Sequence, residues 1–168
     1  MKEPEGAVER ERIVRRVLGI GVLLAVAGAA HADSVPADRI FAKYADPAHV
    51  VAAVNTEFNA APGQAVRLTI YNSEEAFLEQ AWAKYEARID EDGVAVLPLG
   101  DLEPGEYAFA AYLDENGDGV LNRGKILGRP KEPVAFSNGV KPKLRKPRFD
   151  ETKVSVTHGS VVVITLDD

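Results

Sequence analysis

Beyond residue 60 the chain alternates apolar and polar positions in short runs. Val66, Leu68 and Ile70 alternate with Arg67, Thr69 and Tyr71, the period of two expected of a strand with one buried face. Val94, Val96 and Leu99 continue the pattern after the turn Asp90-Glu91-Asp92-Gly93. Residues 106–113 and 159–166 are more continuously apolar, as central strands of a sandwich are. Residues 73–80 place Ser73 ahead of Glu74 and Glu75 and the apolar pair Phe77-Leu78, which predicts one short capped helix. About seven short strands separated by Gly and Pro turns predict an all-β, antiparallel β-sandwich.

The N-terminal segment has a different pattern. Arg10, Arg12, Arg15 and Arg16 precede the apolar run 17–30, and Ala30-His31-Ala32 sets small residues two apart. This predicts a signal helix, cleaved after Ala32 by general secretion, and a periplasmic or secreted mature chain. The run is shorter than the ~18–20 apolar residues that span a bilayer, so the mature form is expected to have no membrane span. No Cys follows it, which argues against a lipid anchor. Residues 33–48, with Pro36 and Pro47 bracketing a short helical turn, read as a linker, and 49–168 as a single domain.

Composition narrows the partners. The leader holds five of the 20 basic and four of the 26 acidic residues, so 15 basic and 22 acidic residues remain, a net charge of −7. That balance disfavours nucleic acid and anionic lipid as general partners. With zero Cys, stability in an oxidising compartment must come from core packing, aided by any bound ion.

One segment has the chemistry of a cation loop. Asp114, Asn116 and Asp118 alternate, Gly119 follows at once, and Asn122 comes four residues after Asp118. A hard cation takes six to eight oxygens, and such a turn points alternate side chains and one later carbonyl, here that of Val120, toward a common centre. Calcium is the ion this spacing fits. Lys125 stands where a closing Glu would be, so the site would be irregular or weak, or would need a carboxylate from elsewhere. The metal-free alternative is an Asx-rich turn, since Asp, Asn and Gly tolerate left-handed angles and hydrogen-bond their own chain.

A basic loop offers a second binding surface. Lys141, Lys143, Arg145, Lys146 and Arg148 are broken by Pro142 and Pro147, which rules out a helix. Such a patch could meet phosphates of the envelope or an acidic partner, or it could be a solvated loop paired with the protein's own acid. Trp82 and Tyr85 could expose rings to a carbohydrate, but Trp82 is expected in the core. Catalytic signals are few. His49 shows no carboxylate partner in its neighbourhood, His158 lies in the turn Thr157-His158-Gly159-Ser160, and no nucleophile elbow occurs.

Several blocks together resemble the bacterial family known as domain of unknown function 2141. They are residues 66–77 (VRLTIYNSEEAF), 102–113 (LEPGEYAFAAYL), 114–119 (DENGDG), 127–132 (LGRPKE), 135–138 (AFSN) and 147–149 (PRF), followed by a valine-rich strand. Their order carries the resemblance over roughly residues 50–166, and GVKPKLRKPR (139–148) departs from it. The resemblance implies a transthyretin-like or immunoglobulin-like sandwich and assigns no activity. The expected protein is thus a non-enzymatic binding or accessory module, calcium-stabilised in its sharper form. The alternatives are an envelope interaction protein using 141–148 without metal and, weakest, a hydrolase.

Overall fold

The computed structural model describes residues 35–58, 60–124, 129–141 and 145–167. The expected signal helix and cleavage site, Lys125 and Lys143 lie outside the described residues. No helix among the described residues is long and apolar enough to cross a membrane.

Among the described residues eight strands form two sheets. The smaller orders β4 (Val94–Gly100), β1 (Val50–Thr56) and β8 (Val161–Leu166). The larger runs from β3 (Ala83–Arg88) through β2 (Ala65–Tyr71) to β5 (Gly105–Asp114). The far side of β5 is shared by β6 (Val134–Phe136), which pairs with its second half, and β7 (Lys153–Val156), which pairs with its first. The protein is an all-β sandwich. One pair departs from an antiparallel arrangement: β1 and β8 run parallel, Val51 opposite Val161 through Thr56 opposite Leu166.

The period-two reading of β2 holds, since Val66, Leu68 and Ile70 are all buried against the other sheet. In β5 the inward set is Tyr107, Phe109, Ala111 and Leu113, with Phe109 fully buried. In β4 the inward set is Ala95, Leu97 and Leu99, whereas Val94 and Val96 face outward. The apolar outward positions hid the register, because this sheet is covered on both faces and alternation no longer marks the core.

The outer cover is a helix between Pro36 and Pro47, where a short helical turn was expected. α1 (Ala37–Tyr44) begins after Pro36, ends before Asp46-Pro47, and carries Asp38 in its first turn and Lys43 in its last, both favourable to the helix dipole. Its one buried residue, Ile40, packs with Ala53 and Val94 and against Val96, Val161 and Val163. Polar contacts fix the same docking. The Tyr44 hydroxyl donates to Asp90 Oδ2 at 2.8 Å, Lys43 Nζ to Asp92 Oδ2 at 2.5 Å, and Asn55 Nδ2 to the Val35 carbonyl at 3.3 Å.

The helix expected over 73–80 is instead a series of turns. Ser73 Oγ does accept the Ala76 N–H at 3.3 Å, but Leu78 has φ 62°, which no α-helix tolerates. Aromatic packing is satisfied instead: the Phe77 ring meets Tyr71 at 5.2 Å, Phe149 at 5.8 Å and Phe136 at 6.3 Å, all edge to face.

The Ala135–Asn138 block acts as a structural corner. Ser137, fully buried at the end of β6, accepts the Phe109 N–H at 2.9 Å and donates to the Thr152 carbonyl at 2.5 Å. It joins β5 to the short α2 (Phe149–Thr152) that leads into β7. Asn138 and Gly139 follow at φ 60° and 64°, and Asn138 Nδ2 donates to the Glu151 carbonyl at 3.0 Å.

Candidate functional site

The acidic loop leaves the end of β5. Asn116 Oδ1 accepts the Asp118 N–H at 3.0 Å and Asp118 Oδ1 accepts the Val120 N–H at 2.8 Å, two successive Asx turns. Gly117 and Gly119, at φ 73° and 79°, supply the left-handed steps between them. Asp118 Oδ2 takes 2.9 Å bonds from the amides of both Asn116 and Asn122, and the Asn122 amide also reaches the Val120 carbonyl at 2.9 Å. Four of the five expected ligands, Asn116, Asp118, Val120 and Asn122, therefore meet on the exposed side of the loop. Donation by Asn122, then by the Val120 backbone and by Asn116, holds the Asp118 carboxyl below the usual carboxylate range.

Asp114 sits on the buried side, 3% exposed. Its Oδ2 accepts from Arg67 Nε at 2.7 Å and from the Gly119 N–H at 2.9 Å, while Oδ1 is buried without a hydrogen-bond partner. The Arg67 bond is the main force lowering the Asp114 pKa; burial opposes it, and the Gly119 hydrogen bond adds to it, as does the Gly117 amide, which is nearby but outside hydrogen-bonding geometry. Arg67 also pairs with Glu86 at 2.9 Å, and its guanidinium lies under Gly119, where a Cβ would come within 3.3 Å of it.

Glu132 arrives from the far end of the loop. Though 6% exposed, it accepts the Glu115 N–H at 3.2 Å through Oε1 and the Asn122 N–H at 2.8 Å through Oε2. Neither Arg67 nor Glu132 follows from the loop spacing: one lies on β2, the other ten residues beyond Asn122. The Leu-Gly-Arg-Pro-Lys-Glu block contained the residue but not its role. The Tyr112 phenol registers the local charge, raised chiefly by burial, with Arg67 opposing and Asp114, Glu132 and Asp118 adding to the rise.

The arrangement can bind a cation only through a mixed set of donors. Among the described residues no three His, Cys, Asp or Glu side chains could hold a metal together. Two carboxylates would have to be joined by the Asn116 and Asn122 amide oxygens and the Val120 carbonyl, which suits calcium better than a transition metal.

The described cations of the basic segment are paired within the chain. Lys141 bonds Asp167 at 2.5 Å, Arg145 embraces Glu151 with a 2.8 Å bond and a second shorter one, Lys146 lies 3.7 Å from Glu79, and Arg148 lies 3.4 Å from Asp150. Glu151 is consequently lowered to about 2. Trp82 is not in the core: it is 48% exposed, at the start of the edge strand β3, with its ring 5.8 Å from Tyr107. Tyr85 packs its ring against the core from within β3. His49 does have carboxylate partners, Asp46 at 2.9 Å and Asp101 at 3.7 Å, because β1 and β4 end side by side. His158 is exposed in the β7–β8 turn.

Fold and loop together define a small β-sandwich with one helix-covered sheet and an acidic Asx loop at the end of its longest strand. The profile of the family described as uncharacterized protein conserved in bacteria (DUF2141) matches residues 56–164, and the chain belongs to that family. No curated protein matches it. Among solved structures the crystal structure of the major plantain pollen allergen Pla l 1 is similar at 13% identity and a TM-score of 0.29, covering 71% of this chain and 93% of that one.

Proposed function

We propose that the protein is a non-enzymatic binding or accessory module of the periplasm or the extracellular space, exported by its N-terminal leader and stabilised by calcium at the loop 114–122. The observation that carries the calcium reading is Asp114 Oδ1, a carboxylate oxygen buried without a donor on the inner side of that loop. Such oxygens are rare in folded proteins and call for a water or an ion. Calcium would take this oxygen, Asp118, the Val120 carbonyl and the amide oxygens of Asn116 and Asn122, each amide turning over from its present donation to Asp118. Glu132 would hold the two ends of the loop together from behind.

The alternative, an envelope contact through residues 141–148, asks cations already paired within the chain to exchange partners.

The test is thermal melting in calcium and in chelator. Calcium at about ten times its Kd stabilises by about 1.4 kcal/mol, a rise of roughly 5 °C for a domain of this size. Asp118→Ala should abolish that rise. An equal loss of stability with calcium and with chelator would leave the loop a metal-free turn.

A further inference from the structure

Arg67 is placed where it governs such a site. Its guanidinium is bound to Asp114 Oδ2 at 2.7 Å, is tethered on its other side to Glu86 at 2.9 Å, and is covered by the loop at Gly119. It lies on β2, directly opposite Tyr112 of β5, so the sheet rather than the loop fixes its position. Asp114 thereby has one oxygen bonded to a resident cation while the other, Oδ1, makes no hydrogen bond.

We infer that Arg67 is a built-in cation that shares Asp114 with calcium, holding the loop folded without metal and limiting how tightly metal binds. The inference rests on the calcium reading of the loop. A buried carboxylate with no counter-charge would destabilise the metal-free fold, and Arg67 removes that problem. The same fixed positive charge repels a divalent ion bound at Oδ1, and in a partly buried setting that repulsion is not screened away. The two ligating carboxylates, Asp114 and Asp118, and the one guanidinium together present a single net negative charge at the ion. Weak binding, in the range that responds to extracellular calcium, follows from that charge count.

The experiment is calcium titration by calorimetry on the wild-type chain and on Arg67→Gln, with melting in calcium and in chelator. Arg67→Gln should melt lower than wild type in chelator, gain more from calcium, and bind calcium at least ~10-fold more tightly. Wild type that binds calcium beside an Arg67→Gln variant that binds it no more tightly overturns the role of Arg67 and leaves the calcium reading standing. Calcium binding by neither protein overturns both. Should Arg67→Gln fail to fold with or without calcium, Glu86→Gln serves in its place. Glu86 is on the sheet surface, and its loss frees the Arg67 charge to act on Asp114 undiluted, so calcium should bind several-fold more weakly. Unchanged affinity in Glu86→Gln overturns the inference.

Discussion

Ile40→Ala asks whether α1 belongs to the domain or merely adjoins it. Ile40 is fully buried and is the one buried residue of its helix, seated over Ala53 and Val94 with Val96, Val161 and Val163 around it. Truncation removes three carbons, worth about 2.4 kcal/mol at ~0.8 kcal/mol per buried methylene. The gap left beneath a helix pinned at both ends by Val35 and Tyr44 cannot fully close, which brings the loss to about 3 kcal/mol, or roughly 10 °C in Tm. Urea denaturation followed by circular dichroism reads the free energy, and Arg39→Ala on the exposed face of the same helix serves as the control, expected within about 0.5 kcal/mol of wild type. A loss under about 1 kcal/mol, or an early helix transition that leaves the main one unmoved, would refute the reasoning and make α1 a separate unit.

Two further outcomes follow from the polar contacts. Ser137→Ala should cost about 1–3 kcal/mol in urea denaturation, because the Phe109 N–H and Thr152 carbonyl both lose a buried partner; a change within error would mean that another group serves them. His49 should titrate above an ordinary histidine, raised chiefly by its hydrogen bond to Asp46 and then by that residue's charge, with Asp101 adding a little. A raised histidine pKa means that the pair stabilises fully below the unfolded-state value and fades as pH rises through the folded one, while the lowered Asp46 loses its contribution as pH falls through its own folded value. Imidazole NMR should show the His49 pKa drop in Asp46→Asn, and an unmoved value would contradict the pairing.

The strands whose faces differ were legible in the sequence. β2 has one solvated side, so Val66, Leu68 and Ile70 stood out, and the turn Asp90–Gly93 marked the start of β4. β4 itself misled, because α1 covers the face that would otherwise be polar, and nothing in the local pattern of α1 shows what it covers. Trp82 misled for a different reason: average burial favours the core for a large aromatic, but β3 is an edge strand and its first turn leaves the ring half out. In the loop, spacing identified Asn116, Asp118, Val120 and Asn122 as neighbours. The deeper layer, Arg67 and Glu132, depends on pairing across the sheet and on a return of the chain, neither of which local spacing encodes.

The parallel pairing of β1 with β8 also bears on how this chain reaches its fold. All seven residues of β1 are buried in the finished structure, and its parallel partner lies more than a hundred positions further along the chain. Until β8 docks, β1 can pair only with β4, leaving a long apolar strand with an open edge. Closing a loop of that length is slow, and an unpaired apolar edge invites association with other chains. The domain should therefore fold late and all at once, and its most vulnerable form is the one in which β8 has not yet docked beside β1.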